Sequence, residues 1–142
     1  MDISFKSKEG AFNYRAAAII VTGHPSTQGR VLATRDDRQA IPPASQAKPD
    51  LMHAGRILIM QDEGIPHDYL PGGRVHLRES AEAALTRELR EELDISLPPH
   101  RLAFMAESFF TIDSTRYHEM CLYFLMDAPP ELLARGGAFT RT

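Results

Sequence analysis

Three glutamates, Glu88, Glu91 and Glu92, lie close together in the segment RELREELDI. In an α-helix, side chains three and four positions apart project from one face, so these carboxylates would form an anionic stripe. Each like-charged pair at this spacing destabilises a helix by about 0.2–0.5 kcal/mol. Either water together with Arg87 and Arg90, or a cation bound at the stripe, would relieve the repulsion.

A helix over residues 81–93 is predicted to position these glutamates. Strong helix formers fill the segment, and Ser80 directly before it is typical of an N-cap. Leucines recur at every fourth position and predict a buried stripe, formed by Leu85, Leu89 and Leu93. The glutamate stripe borders these leucines, whereas a purely solvated face would point away from them. This placement leaves both explanations of the stripe open.

Most of the remaining chain is predicted to be strand. Apolar runs rich in β-branched or aromatic residues predict strands at 15–22, 29–34, 55–63, 101–112 and 116–127. A Pro-Gly-Gly turn is predicted within an extended segment at 68–77, and an exposed, proline-containing loop at 35–50. Both alternating sets of side chains in 116–127 are apolar, which is typical of a strand covered on both faces. Such strands with one strong helix predict a layered α/β or α+β domain.

The bulk composition fits a single domain over residues 1–142. A net charge of −3 does not favour a protein whose main task is to bind a nucleic-acid backbone. The single cysteine, Cys121, excludes an internal disulfide, fits a cytoplasmic setting and is predicted to be a small core residue. The apolar runs, such as residues 16–21, are far shorter than the roughly 20 residues that span a membrane, so no membrane partner is expected.

The segment from Gly73 to Ile95 resembles the Nudix box, Gly-x5-Glu-x7-Arg-Glu-U-x-Glu-Glu-x-Gly-U, in which U is an aliphatic residue. Every specified position matches except Asp94, which stands where the family has glycine. Seven fixed polar or glycine positions and two aliphatic ones make the pattern highly specific. Because Asp can adopt the left-handed conformation of a helix C-cap, the departure is expected to affect stability and not activity.

The resemblance implies a Nudix-type α/β/α sandwich with a mixed β-sheet. It also implies metal-dependent hydrolysis of a diphosphate linkage in a nucleoside diphosphate linked to a moiety X, such as a nucleotide, a nucleotide sugar or a dinucleotide. Mg²⁺ or Mn²⁺ would shield the diphosphate charge and polarise its oxygens, and both ions prefer carboxylate ligands. A small nucleoside diphosphate derivative is therefore the expected partner.

The roles of the family's box residues carry over as expectations. The principal metal ligands would be Glu91 and Glu92, and the carbonyl group of Gly72 would be a further ligand. Glu88 would be either a ligand or the base that takes a proton from water. Glu79 and Arg87 would brace the junction of loop and helix through an ion pair, and a metal contact is the alternative for Glu79.

Outside the box, the base that activates water is expected to be Glu119, with Glu107 second; a polar residue at a strand end is the alternative for Glu119. Three aromatic residues could stack a nucleobase, although core packing is their commoner role: Tyr69, Phe109 and Phe110. Selectivity for X is expected to come from the loop at 35–50 and the strand at 101–112.

Two other functions are compatible with the same box. A non-catalytic Nudix-like module could sense a nucleotide and signal to a partner, although a sensor would not need every carboxylate. An RNA-end pyrophosphohydrolase would need a basic surface, which the net charge does not promise.

The C-terminal tail, APPELLARGGAFTRT, predicts thin coverage of the sheet. Family members usually continue past the last predicted strand with a further strand and a covering helix, and here only PPELLAR could begin one. We expect one sheet face to be shielded by a second copy of the chain, as a homodimer, or by another partner. A truncated piece of a longer protein would give the same pattern.

Overall fold

A computed structural model of the chain describes residues 1–22, 56–96 and 101–135. Five strands and two helices occur in these ranges, in the order β1 (Ser4–Lys6), β2 (Ala11–Val21), β3 (Gly72–Arg74), α1 (Ala81–Leu93), β4 (Arg101–Ile112), β5 (Thr115–Asp127) and α2 (Pro130–Leu133). None of the helices in the described ranges is both long and apolar enough to cross a membrane.

The strands form one mixed sheet in the order β1-β2-β5-β4, and β3 also pairs with β2. The β2 and β5 strands run parallel over the whole of β2, from the pair Ala11–Tyr117 to the pair Val21–Asp127. The other three pairings are antiparallel. The predicted α/β class with a mixed sheet is therefore confirmed.

A tight turn sets the register of β4 against β5. Asp113 and Ser114 both have positive φ, 46° and 67°. Two consecutive left-handed residues are typical of the two-residue turns whose twist matches antiparallel strands. Asp and Ser are polar turn residues, and Asp adopts this conformation more readily than most.

Helix α1 packs its leucine stripe on one face of the sheet. Leu85, Leu89 and Leu93 are almost fully buried, which confirms the predicted stripe. They belong to a core cluster with alternate residues of β2 and β5, among them Ala16, Ala18, Ile20, Phe124 and Met126, and with Leu132 of α2. Burying each leucine stabilises the fold by about 1.5–3 kcal/mol.

The residues that alternate with this cluster face the other side of the sheet, which we call the second face. Arg15, Glu119, Cys121 and Tyr123 belong to it. The side chain of Phe104 stacks on Tyr123 with ring centroids 4.7 Å apart and is still 50% exposed. In the described ranges both helices contribute to the core cluster, on the opposite side from the second face.

One strand prediction needs correction, and one strand was missed. Residues 56–63 form no strand, because Ile57 and Met60 make single bridges to two different neighbours, Val21 and Tyr69. The extended segment predicted at 68–77 contains strand only at Gly72–Arg74, since proline at position 71 cannot donate to a ladder. The missed strand is β1, which is short and polar and has no strong sequence pattern.

The remaining predicted strands are confirmed with shifted ends. The strand predicted at 15–22 begins at Ala11, and those predicted at 101–112 and 116–127 become β4 and β5. The PPELLAR segment forms only the short α2. The strand predicted at 29–34 and the loop predicted at 35–50 lie outside the described residues.

Candidate active site

The ends of α1 are fixed by local hydrogen bonds. At the N-terminus the hydroxyl of Ser80 accepts a hydrogen bond from the Ala83 amide at 3.1 Å, which confirms the predicted N-cap. At the C-terminus Asp94 adopts the left-handed conformation, with φ 54°, and its amide donates to the carbonyl of Arg90. The residue that replaces the family glycine thus keeps the backbone geometry of a glycine cap.

Arg87 joins the helix to the preceding loop. Its Nε and Nη2 donate to the two carboxylate oxygens of Glu79, each at 3.0 Å, and Nη2 also donates to the carbonyl of Arg74 at 3.1 Å. Glu79 accepts a further hydrogen bond from the His76 amide at 2.9 Å. A bidentate pair with extra backbone contacts is stronger and more directional than a simple surface ion pair.

The electrostatics of this pair favour both charged forms. The hydrogen bond from Arg87 lowers the pKa of Glu79 to about 2, against an opposing effect of burial. The Glu79 carboxylate in turn raises the pKa of the Arg87 guanidinium above its usual value. Both groups therefore stay ionised at neutral pH, and the brace is a full ion pair.

The two glycines of the turn are needed for different reasons. Gly72 has φ of 143°, and a Cβ there would lie 2.2 Å from the carbonyl oxygen of Ala16 in β2. A Cβ at Gly73 would instead lie 2.3 Å from the carboxyl carbon of Glu88. Glycine therefore lets this turn pair closely with β2 and leaves room for the Glu88 carboxylate.

The three glutamates of the stripe are held by different partners. Glu88 Oε1 accepts from Arg87 Nη1 at 2.6 Å, and Glu91 Oε2 lies 3.7 Å from the same nitrogen. Glu92 Oε2 accepts from the amide of Gly72 at 3.2 Å. Arg87 thus relieves part of the charge repulsion along the stripe. This agrees with the first explanation drawn from the sequence, in which arginine side chains relieve it.

Within the described ranges, no three Asp, Glu, His or Cys side chains are arranged to hold a metal ion. The donor set still fits a hard divalent cation, because carboxylate oxygens at these helix spacings are the ligands that Mg²⁺ prefers. Glu88 and Glu92 both reach the turn at Gly72 and Gly73. The side chain of Glu91 is 60% exposed, so a change of rotamer could bring it to the other two carboxylates.

The two candidate bases lie in different surroundings. Glu119 is on the second face, where its Oε1 lies 3.7 Å from Arg15 Nη1 and its side chain is only 12% exposed. The register pairs Arg15 with Arg74, next to the box turn. Glu107 instead contacts Nε2 of His118 at 2.6 Å on an exposed part of the sheet. Sequence reasoning missed Arg15, whose role appears only once β2 is aligned with β5.

The three aromatic residues predicted to stack a base are not brought together. The hydroxyl of Tyr69 donates to Asp62 in the segment before the turn. Phe109 contacts the ring of His118, and Phe110 stacks on Tyr117 with ring centroids 5.2 Å apart. Because they are neighbours in a strand, Phe109 and Phe110 project from opposite faces of the sheet.

The thiol of Cys121 is buried, as predicted for a small core residue. Burial raises its pKa to about 11, and burial likewise raises the pKa of Tyr123 to about 12. Neither group is ionised at neutral pH, so neither acts there as an anionic nucleophile or base.

Comparison with known proteins supports the same fold and box. Residues 51–138 match the NUDIX domain. The structure is similar to that of the Ap4A hydrolase of C. elegans, with 14% sequence identity and a TM-score of 0.52 over 85% of this chain and 73% of that one. It also aligns with the MutT protein from Methanosarcina mazei Go1, at 18% identity and a TM-score of 0.48 over 87% and 70% of the two chains.

No curated protein matches this sequence. The domain match nevertheless covers more than half of the chain and includes the whole segment from Gly73 to Ile95. The chain therefore belongs to the Nudix family.

Proposed function

We propose that this protein hydrolyses a diphosphate linkage in a nucleoside diphosphate linked to a moiety X, and that the reaction requires Mg²⁺ or Mn²⁺. The arrangement of Glu88 and Glu92 around the Gly72–Gly73 turn, braced by Arg87, supports this proposal most directly. Carboxylates in this arrangement are suited to a hard cation, and a module that only senses a nucleotide would not need all of them.

The proposed metal ligands are Glu88, Glu91, Glu92 and the carbonyl group of Gly72. When bound, a divalent cation would shield the diphosphate charge and stabilise the charge that develops at phosphorus. In this proposal the Glu79–Arg87 brace keeps the helix and turn at a fixed separation, so that donors from both elements face one volume.

Glu119 is the proposed base that accepts a proton from the attacking water at a carboxylate oxygen. Glu119 Oε1 lies 3.7 Å from Arg15 Nη1 on the second face, and the backbone of Arg15 is in register with Arg74, next to the box turn. Glu107 is the second candidate, because it is tied to His118 at a more exposed position. Glu88 would serve as base if it does not bind metal.

Hydrolysis is tested with a panel of diphosphate compounds, with Mg²⁺, with Mn²⁺ and with a chelator. The panel includes nucleotide sugars, ADP-ribose, nucleoside triphosphates and, since a structurally similar protein is named Ap4A hydrolase, Ap4A. We expect metal-dependent turnover of at least one compound. Glu92→Gln should lower kcat/KM about 100-fold or more, because weakening residues that merely orient metal ligands already costs about 10–100-fold.

Glu82→Gln is the matched control, since Glu82 is an exposed acid on the same helix and lies outside the proposed ligand set. Tight binding of a nucleotide without turnover in either metal would contradict the proposal and favour the sensing module. Turnover that survives Glu92→Gln unchanged would also contradict it.

A homodimer and a cytoplasmic location are further parts of the proposal. The second face exposes apolar surface at Phe104, and a second copy of the chain is the proposed cover. The single, reduced cysteine agrees with a cytoplasmic location.

A further inference from the structure

A row of aromatic rings crosses the sheet at the end remote from the box turn. Phe5 pairs in register with Phe12, Phe12 with His118, and His118 with Phe109. The successive ring centroids are 5.2, 5.4 and 4.5 Å apart. We call these four residues the ring row. They come from four different strands, so only the folded sheet brings them together.

The rings of the row are largely exposed, whereas rings in a protein core would be buried. The outer rings, Phe5 and Phe109, are 64% and 71% exposed. With neighbouring residues the row lines a cleft of about 590 Å³, which is within the range of about 300–1,000 Å³ typical of small-molecule sites.

A cationic side chain, that of Arg116, contributes to the lining of this cleft. No ion pair within the described ranges involves this guanidinium. The contact of His118 Nε2 with Glu107 at 2.6 Å holds the imidazole ring of the row in place. The cleft therefore combines flat rings with a guanidinium that has no ion pair in the described ranges, and the carboxylate of Glu9 also lines it.

Gly10 brings the turn after β1 against Arg116 at this cleft. It has φ of 151°, and a Cβ there would lie 2.3 Å from the carbonyl oxygen of Arg116. Only glycine permits this close approach of the two backbones, at a position where both residues line the cleft.

We propose that the ring row is a binding site for a nucleotide, with the base stacked on the exposed rings and the phosphate paired with Arg116. Bases bind aromatic side chains through their flat faces, and a guanidinium fits phosphate oxygens. The ring row lies away from the Gly72–Gly73 turn, which Glu88 and Glu92 reach. Phe12 lies five positions from Ala17, the partner of Gly72, which corresponds to about 16 Å along a strand. Binding there does not depend on hydrolysis.

The test uses AMP, which has no diphosphate linkage, with the full chain in chelator. The sequence contains no tryptophan, so Phe109→Trp introduces a single tryptophan into the ring row, whose fluorescence is distinguished from that of tyrosine by its excitation wavelength. We expect AMP to quench this tryptophan saturably. Phe104→Trp is the matched control, because Phe104 is an exposed phenylalanine of the same strand on the second face, and its fluorescence should not respond.

Calorimetry then assigns the contacts. Phe109→Ala should weaken AMP binding about tenfold or more, since stacking on one aromatic ring is worth about 1–3 kcal/mol per base. Arg116→Ala should reduce AMP binding to the level of adenosine, and inorganic phosphate alone should bind weakly. Glu92→Gln should leave AMP binding unchanged, which separates this site from the proposed catalytic one.

Several outcomes would overturn the proposal. They are an absence of AMP binding up to millimolar concentration, equal quenching at positions 104 and 109, and loss of AMP binding in Glu92→Gln. Both phenylalanines are largely exposed, so their substitution should have little effect on stability. Unchanged thermal unfolding of the variants would show that misfolding is not the cause of any loss of AMP binding.

Discussion

At the residue scale, Arg87 holds more of the site together than any single glutamate does. It contacts Glu79, Glu88 and Glu91 and also donates to the carbonyl of Arg74. One guanidinium therefore ties the turn to the helix and partly neutralises the acidic stripe. Removal of the Glu79 carboxylate would leave this arginine without its bidentate partner.

We expect Glu79→Gln to lower the free energy of unfolding at pH 7 by about 1.5–3 kcal/mol, the usual worth of a hydrogen bond to a charged group. The pKa of Glu79 is lowered to about 2 in the folded chain from an ordinary value of 4.5. The stabilisation is thus fully present above about pH 4.5 and is lost as pH falls toward about 2. Denaturant unfolding at several pH values measures it.

The difference between wild type and Glu79→Gln should shrink over that pH window. Glu63→Gln, at an exposed position, is the control and should show no such window. A difference that stays constant from pH 7 to pH 2.5 would mean that the ion pair is not the source of the stability.

Substitution by glutamine distinguishes the two candidate bases, Glu119 and Glu107. Glu119→Gln should lower kcat about 10²–10⁴-fold, the usual contribution of a general base, and should remove the acidic limb of the pH–rate profile. Glu107→Gln should leave the limb in place, because Glu107 lies beside His118 and away from the Arg15–Arg74 pair. Loss of the limb in Glu107→Gln alone would reverse the assignment.

At the element scale, α1 carries the site because its two faces have different tasks. The leucine stripe fixes the helix on the sheet, and the neighbouring stripe presents carboxylates to the turn. The left-handed Asp94 ends the helix where glycine usually would, and this conformation costs a non-glycine residue about 1 kcal/mol.

We therefore expect a rank order of stability at position 94. Asp94→Gly should raise the free energy of unfolding by up to about 1 kcal/mol, because glycine adopts this conformation without a Cβ clash. Asp94→Ala should lower it, since alanine lacks the local hydrogen bonding that helps Asp there. Thermal unfolding gives the order, and equal activity of the three proteins is the control. A less stable Asp94→Gly would contradict this account.

At the scale of the whole molecule, the helices of the described ranges pack on one side of the sheet and leave Phe104 exposed on the other. If a second copy covers this face, wild-type protein should sediment as a dimer at micromolar concentration. Phe104→Lys should weaken self-association at least about tenfold, because a charge would be buried without a partner. Leu133→Lys, at an exposed position on α2, is the control. A wild-type monomer at every concentration would refute the dimer.

The sequence alone determined the features that depend on near neighbours in the chain. The helix at 81–93, its Ser80 cap, the left-handed Asp94 and the leucine stripe all follow from local spacing and conformational preference. The long strands β4 and β5 followed in the same way, because most of their residues are apolar or aromatic. The box pattern likewise identified the family, since it combines many fixed residues in a short segment.

Only the tertiary structure decided what depends on residues far apart in the chain. The 56–63 segment is apolar enough for a strand, yet whether it pairs depends on neighbours that its own residues do not specify. The ion pair of Arg15 with Glu119 and the ring row both require the parallel register of β2 and β5, which brings together residues about a hundred positions apart. Local preference determines which elements form, whereas the register between strands determines which side chains meet.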